Sequence, residues 1–178
     1  MNPRAAGPPW RASFLSETLS LQRLKAESWG GLLTAHRSWI RRRGVLDRAS
    51  LRRLLDAPLA APFVLARIGC DGSPIAETWP GYIDLYDKAE VPALIGKRFE
   101  EHPLPGFSMR TAEGFQAADR DGKPRLELME AVVRPADGET VRLRYHRLLL
   151  PWRAEDGTHF VASLSRQIWR RASACPTC

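Results

Sequence analysis

The histidines of this sequence are the side chains best suited to acid–base or metal chemistry. His146 lies in the stretch RLRYHRLLLPW, whose alternating pattern is typical of a strand. If its ring faces inward, His146 could bond a ligand or coordinate a haem iron; the alternative is a half-exposed strand histidine among arginines. Glu100 and His102 make an acid–imidazole pair in a segment that a solvated loop also explains. His36 falls on the apolar side of a helical pattern, as a packing histidine does.

Catalytic constellations are missing from the sequence. A nucleophilic site needs a serine, cysteine or lysine beside a histidine and an orienting carboxylate. Neither a nucleophile-elbow glycine pattern nor an H-E-x-x-H helix is present. The segment IGKRFEEH has too few glycines for a phosphate loop. We therefore expect that the protein is not an enzyme.

The three cysteines predict no metal site. Cys70 stands alone before a turn, and Cys175 and Cys178 form a C-x-x-C at the C-terminal end without the second C-x-x-C that would complete a zinc site. An odd number of cysteines without framework spacing fits a reducing compartment. We expect these thiols to be incidental.

The composition is that of a globular protein with a basic excess. The chain has 178 residues, 44% of them hydrophobic, and a formal net charge of +7. The excess is spread over WIRRRG, SLRRLL, RLRYHR and IWRRAS, so that solvated arginines explain it and nucleic acid is an unlikely partner. No apolar run reaches the roughly 20 residues that span a bilayer, and the N-terminus has no secretory signal. The expectation is a cytoplasmic protein without membrane contact.

The elements that position these residues begin with helices. Residues 1–12 are rich in Pro, Gly and Ala and predict a disordered tail. Leucine spacing predicts a helix over 13–29, capped by Ser13 or Ser16, and a second over 32–44 with Gly44 at its end. A short third helix follows at 46–58.

Strands follow, with one long helix among them. PFVLARIG, the turn CDGSP and IAETW predict a hairpin, and YIDLYDKAE predicts a short helical piece. SMRTAEGFQAADRDG predicts a helix with Ser108 as N-cap and with Met109, Ala112 and Phe115 inside. PRLELMEAVVR, TVRLRYHRLLLPW and THFVASLSRQI predict three antiparallel strands joined by D-G turns.

This order resembles that of PAS domains, and several short segments are similar to a bacterial group of single-domain PAS-like proteins. They are SWIRRRG, DRASLRRLL, APFVLARIG, IGKRFEEH, DGKPRLELM and RLLLPWRAEDGTHFVASL. The resemblance covers about residues 32–168 and implies an α+β fold. That fold is a five-stranded antiparallel sheet with short helices on one face and N-terminal flanking helices. The implied organisation is a disordered tail (1–12), N-terminal helices for flanking or dimerisation (13–44), a sensor domain (45–168) and a C-terminal tail (169–178).

The resemblance also implies where a ligand would bind. Aromatic residues gather in the irregular middle of the sequence, which walls the cavity of a PAS fold; the alternative is that they form core and nothing more. The implied ligand-binding residues are Trp79, Tyr82, Phe99, Phe107, Met109, Phe115 and His146. The cofactor stays unknown. A flavin photosensor is disfavoured because no cysteine lies between Cys70 and Cys175.

The expected function is that of a sensory or regulatory module that binds a small ligand or a partner and signals through protein–protein contacts. An amphipathic N-terminal segment outside the domain predicts a homodimer, and the absence of an output domain predicts a separate signalling protein. Two alternatives are a nucleic-acid-binding adaptor that uses the basic stretches and a small α+β enzyme built around a cavity. The first would show a steep fall of affinity with salt.

Overall fold

A seven-stranded sheet organises the residues that this computed structural model describes, which are 13–47, 63–78, 91–134 and 140–172. The strands are β1 (Ser13–Leu19), β2 (Val45–Leu46), β3 (Phe63–Ile68), β4 (Pro74–Thr78), β5 (Arg125–Val133), β6 (Val141–Ala154) and β7 (His159–Ala172). Their spatial order is β1-β5-β6-β7-β3-β4 with antiparallel neighbours. The short β2 pairs in parallel with the end of β6.

The helices are fewer and shorter than the strands. They are α1 (Arg23–Ala26), α2 (Gly30–Arg42) and α3 (Pro105–Asp121), with 3-10 helices at Val91–Leu94 and Phe99–Glu101. Several predictions lie outside the described residues: the disordered tail 1–12, most of the third helix at 46–58, the helical piece at 82–90, the turn at 135–139 and the terminal cysteine pair. The domain boundaries stay a prediction.

The predicted α+β arrangement, a mainly antiparallel sheet with a few helices, is confirmed. The hairpin is β3–β4, in which Ile68 pairs with Pro74, and the three long C-terminal strands are consecutive neighbours. The helix predicted over 32–44 is α2. The sheet exceeds the five predicted strands because β1 and β2 join it.

The helix predicted over 13–29 is wrong for most of its length. Residues Ser13 to Leu19 form β1, which pairs with β5 from Ser13↔Val132 to Leu19↔Leu126. Only Arg23–Ala26 is helical, for a single turn. The leucine spacing does not decide the structure, because pairing with a strand more than a hundred residues away supplies the backbone hydrogen bonds.

The sheet carries one hydrophobic core on each face. The side packed against α3, called the α3 face here, includes Met129, Leu149 and Val161. The side packed against α1 and α2, called the α2 face, includes Leu148, Leu150 and Trp152. Consecutive leucines of β6 are therefore completely buried, as the apolar end of RLRYHRLLLPW predicts. Helices α1 and α2 of the same chain thus cover the apolar part of the second face of the sheet.

The chain itself covers most of the N-terminal leucines, whereas Leu15 of β1 is 69% exposed. Leu24 of α1 is fully buried on the α2 face, and Leu19 and Leu21 pack against the same core. The homodimer stays a prediction. Among the residues that the structure describes, no helix is long and apolar enough to cross a membrane.

Candidate ligand-binding interior

The interior between the sheet and α3 contains a buried ion pair. Glu127 of β5 lies directly opposite Arg147 of β6 in the strand register. The Nη2 and Nε atoms of Arg147 donate to Oε2 of Glu127 at 2.6 and 3.0 Å. Both side chains are only 3% exposed. Charges are rarely buried this deeply unless each has a partner, so the two residues depend on each other.

Helix α3 makes room for this arginine. Nη1 of Arg147 donates to the carbonyl oxygen of Thr111 at 3.4 Å, and its guanidinium carbon lies 5.9 Å from the centre of the Phe115 ring. A Cβ atom on Gly114 would lie 2.2 Å from Nη2 of Arg147 and 3.2 Å from a methyl carbon of Leu149. A glycine in the middle of α3 therefore lets the helix approach the ion pair closely.

Replacing Gly114 with alanine is expected to destabilise the protein by about 1–3 kcal/mol, the range for overpacked cores. The added methyl group would push Arg147 away from Glu127, which outweighs the gain of about 1 kcal/mol in helix propensity. Urea unfolding of the two proteins measures the difference. In a background where Arg147 is methionine, the same substitution should be close to neutral. An equal cost in both backgrounds would show that Arg147 is not the group obstructed.

Further polar groups extend the pair along the sheet. Arg125 donates to Oε1 of Glu127 at 3.4 Å and to Asp121 of α3 at 3.1 Å. Ser165 of β7 lies in register with Arg147 on the other side and is buried. A polar row thus crosses the three central strands β5, β6 and β7 inside an otherwise apolar core.

Aromatic rings line the same interior. Phe99 and Phe115 meet edge to face with centroids 4.9 Å apart, and Phe107 meets Phe14 at 6.0 Å. A pocket of about 230 Å³ opens beside Phe14 and Phe107, between β1 and the first turn of α3. The residues that line this pocket include both rings and neither residue of the ion pair.

His102 also lines this interior, a position that the sequence did not predict. The residue is buried and its ring lies 5.2 Å from that of Phe99. Burial lowers the pKa of His102, and hydrogen bonds to the backbone of Leu94 and Lys97 act in the opposite direction. Glu100 is exposed, so the acid–imidazole pair suggested by the sequence does not form a buried couple.

The predicted ligand-binding residues separate into three groups. Phe99, Phe107 and Phe115 come together in the interior. Met109 is wrong as an inward residue, because its side chain is 56% exposed. The inner stripe of α3 steps from Ala112 to Ser108, four residues back, so that Met109 lies outside it. Trp79 and Tyr82 lie outside the described residues. The binding role of all of them stays a prediction.

His146 is also misplaced by the prediction, because it lies on the α2 face. Its ring stacks on Trp29 with centroids 4.1 Å apart and planes inclined by 33°. Its Nδ1 atom is buried and has no hydrogen-bond partner in the described part of the chain. Burial lowers the pKa of His146; Glu27 acts against this, while Arg23, Arg166 and Arg144 lower it further. His146 therefore faces away from the interior between the sheet and α3, and its role as a ligand or haem contact stays a prediction.

Stability is expected to fall as the solution is acidified below the ordinary histidine pKa of 6.5. Burial is the main cause that lowers the pKa of His36, His102 and His146. The unfolded chain then takes up protons before the folded one, so the stabilisation is complete above that value and is lost progressively below it. Urea midpoints at about pH 7.5 and about pH 5.5 test this. His146→Phe keeps a ring beneath Trp29 and should reduce the difference; an unchanged difference would exclude His146 as a contributor.

A second pair missed by the sequence joins the far end of α3 to the sheet. Nδ1 of His159, at the start of β7, lies 2.8 Å from Oδ1 of Asp119 on α3. The two residues border a pocket of about 260 Å³ that also includes Trp39 and Trp152. Their separation of forty positions hides the pair from any local pattern. Within the described ranges, no group of three His, Cys, Asp or Glu residues could hold a metal ion.

The structure is similar to several solved structures at low sequence identity. No protein-family model and no curated protein matches the sequence. The VqmA dimer of Vibrio cholerae, in the absence of target DNA, has a TM-score of 0.45 and 12% identity over 70% of this chain and 52% of that one. This chain thus spans about half the length of the VqmA chains.

Two photoreceptor structures give similar values. A fungal LOV domain photoreceptor has a TM-score of 0.43 and 16% identity, over 82% of this chain and 99% of that one. An RNA-binding light-oxygen-voltage receptor has a TM-score of 0.43 and 17% identity, over 90% and 40%.

Proposed function

We propose that the protein is a PAS-like sensory or regulatory module that binds a small ligand between the sheet and α3. The observation that carries the proposal is the Glu127–Arg147 pair, buried among aromatic rings beneath a glycine of α3. Ligand sites in proteins combine an apolar wall with a few well-placed polar groups. This interior has both.

The ion pair supports a binding role better than a stabilising one. Removing two charges from water costs several kcal/mol each, and well-packed apolar residues of similar volume are commonly as stable. A guanidinium and a carboxylate held in register offer both donors and acceptors to a ligand. A planar molecule with one polar or acidic group would place its flat part against Phe99 and Phe115 and its polar group on Arg147.

The same contacts provide a route by which occupancy would reach the surface. Arg147 touches Thr111 and Gly114 of α3, so a ligand that draws Arg147 away from Glu127 changes what holds that helix. The other end of α3 is held by the contact of Asp119 with His159. A partner that binds α3 or its surroundings would then bind the ligand-bound and the ligand-free states with different affinities.

The first test is a native mass spectrum with an absorption scan of freshly purified protein. We expect an additional mass that leaves on denaturation. The double variant Glu127→Leu/Arg147→Met keeps the interior filled while removing its charges, and it should lose that mass. Arg120→Met, on the exposed side of α3, is the matched control and should keep it. A bare mass for the wild type, or equal retention by both variants, would contradict ligand binding at this pair.

The output of the module would be a protein–protein contact, made with a separate signalling protein or a second copy of the chain. Sedimentation at tens of micromolar separates these two arrangements, since only the second shows twice the chain mass without a partner. That the protein acts in the cytoplasm and without catalysis remains part of the proposal.

A further inference from the structure

One half of the α2 face carries arginines, and no helix of the described residues covers it. Helices α1 and α2 lie over the leucines at 148 and 150, whereas the opposite ends of β6 and β7 hold a cluster called the arginine surface here. Its members are Arg142 and Arg144 on β6 and Arg166, Trp169 and Arg171 on β7. Arg142, Arg166 and Arg171 are exposed, and Arg144 and Trp169 are partly exposed.

The strand register places these side chains side by side. Arg142 lies opposite Arg171, and Arg144 opposite Trp169. The guanidinium carbons of Arg142 and Arg171 lie 5.8 and 5.5 Å from the centre of the Trp169 ring. Arg166 lies 5.3 Å from the Trp29 ring, which fixes the inner end of the surface. From Arg166 to Arg171 the strand extends roughly 17 Å, at about 3.4 Å per residue.

Acidic residues of the described ranges neutralise little of this charge. Glu130 binds Arg142 at 2.6 Å, and Glu27 is engaged by Arg23 of α1. Arg144, Arg166 and Arg171 have no ion pair with any residue in the described ranges. The surface therefore presents a positive row with an indole in it.

We propose that the arginine surface binds single-stranded nucleic acid. Proteins that bind single strands without sequence preference combine a cationic groove along the backbone with aromatic rings on which bases stack. The exposed arginines supply the phosphate contacts, and Trp169, flanked by two guanidiniums, supplies the stacking position. The extent of the row suits a few nucleotides.

The charge argues against the other occupants. A second copy seated on this surface by a two-fold axis would place arginines against arginines. An acidic peptide would meet the guanidiniums, but its aspartate and glutamate side chains offer no aromatic ring to stack on Trp169. The fold also removes the ground for expecting no nucleic acid, because RLRYHR and IWRRAS are distant in sequence and adjacent in the sheet.

Fluorescence anisotropy with a labelled oligo-dT of about 20 nucleotides tests the proposal, since pyrimidine runs suit stacking sites. We expect saturable binding at low salt. Arg166→Gln/Arg171→Gln should weaken it by about tenfold and reduce the salt slope by about 1.4, for two lost phosphate contacts. Trp169→Ala should weaken it by about tenfold, with partial recovery in Trp169→Phe.

The control is Arg110→Gln/Arg120→Gln, which removes the same charge from α3. Compared at about 0.15 M salt, where the Debye length is about 8 Å, it should change the affinity by less than about threefold, because charges farther away than this are largely screened. Equal weakening by both double variants, or no binding to the wild type at low salt, would overturn the proposal. So would binding of poly-glutamate or of phosphatidylserine vesicles with the same dependence on Arg166, Arg171 and Trp169 and no preference for the oligonucleotide. None of these outcomes depends on the occupancy of the interior.

Discussion

Arg147→Met is expected to lower the free energy of unfolding by about 3–5 kcal/mol, the range measured when one partner of a buried ion pair is removed. The variant leaves the Glu127 carboxylate inside the core, with Arg125 at 3.4 Å as its remaining ion-pair partner among the described residues. Methionine has a similar length and fills irregular space well, so the loss comes from the unpaired charge and not from a cavity. Guanidinium unfolding measures the change.

The control for this prediction removes both charges. Glu127→Leu/Arg147→Met should recover most of the loss, because replacing a buried pair by apolar residues of similar size is commonly neutral or stabilising. A large positive coupling between the two sites is therefore expected in the double-mutant cycle. If Arg147→Met alone cost less than about 1 kcal/mol, in the range of exposed pairs, the pair would be solvated in solution and its role in ligand binding would lose its basis.

The strands could be predicted because their signals are local. D-G turns separate β3 from β4 and β6 from β7, and alternating apolar residues occupy the strands themselves. Helix α2 can be predicted equally well, from its apolar spacing and the glycine at 44. In contrast, β1 has little pattern of its own, and only its pairing with β5 makes it a strand.

The candidate site is harder to predict from the sequence, although one sequence pattern indicates it. Glu127 sits between inward positions of RLELMEAVV, and Arg147 sits between Tyr145 and Leu149, both of which face α3. Two opposite charges at inward positions of adjacent strands predict a buried pair once the register is known. The register depends on how the nineteen residues between Glu127 and Arg147 turn back, including the turn predicted at 135–139, and no short window contains them all. The pair of Asp119 with His159 has no local signal at all.

The clustering of the arginines also follows from the pairing of distant strands. In sequence they are dispersed, and dispersion is typical of solvated faces. Antiparallel pairing brings Arg142 and Arg171 to opposite positions because the β6–β7 hairpin folds back over its whole length. Charge patterns in β proteins therefore have to be examined after the register is assigned, since residues thirty positions apart can share one face.

Trp29→Ala is expected to cost about 3–5 kcal/mol, as for other fully buried aromatic residues. Trp29 is 3% exposed and lies just before α2, where it covers His146 and bears the guanidinium of Arg166. Its loss would open the junction between the core of the α2 face and the arginine surface. Urea unfolding measures the cost, and Trp169→Ala, which removes the same side chain from a partly exposed position, should cost less than half as much.

The state of His146 gives a second measurement on the same variant. Burial is the main cause that lowers the pKa of His146, so removing its cover should raise that pKa toward the ordinary value. An NMR titration of the ring protons would show the rise, and the loss of stability on acidification should shrink accordingly, because folded and unfolded states would then bind protons over a similar range. A titration unchanged in Trp29→Ala would mean that His146 is shielded by something other than the indole. A stability loss equal to that of Trp169→Ala would mean that Trp29 is not the residue that closes this end of the core.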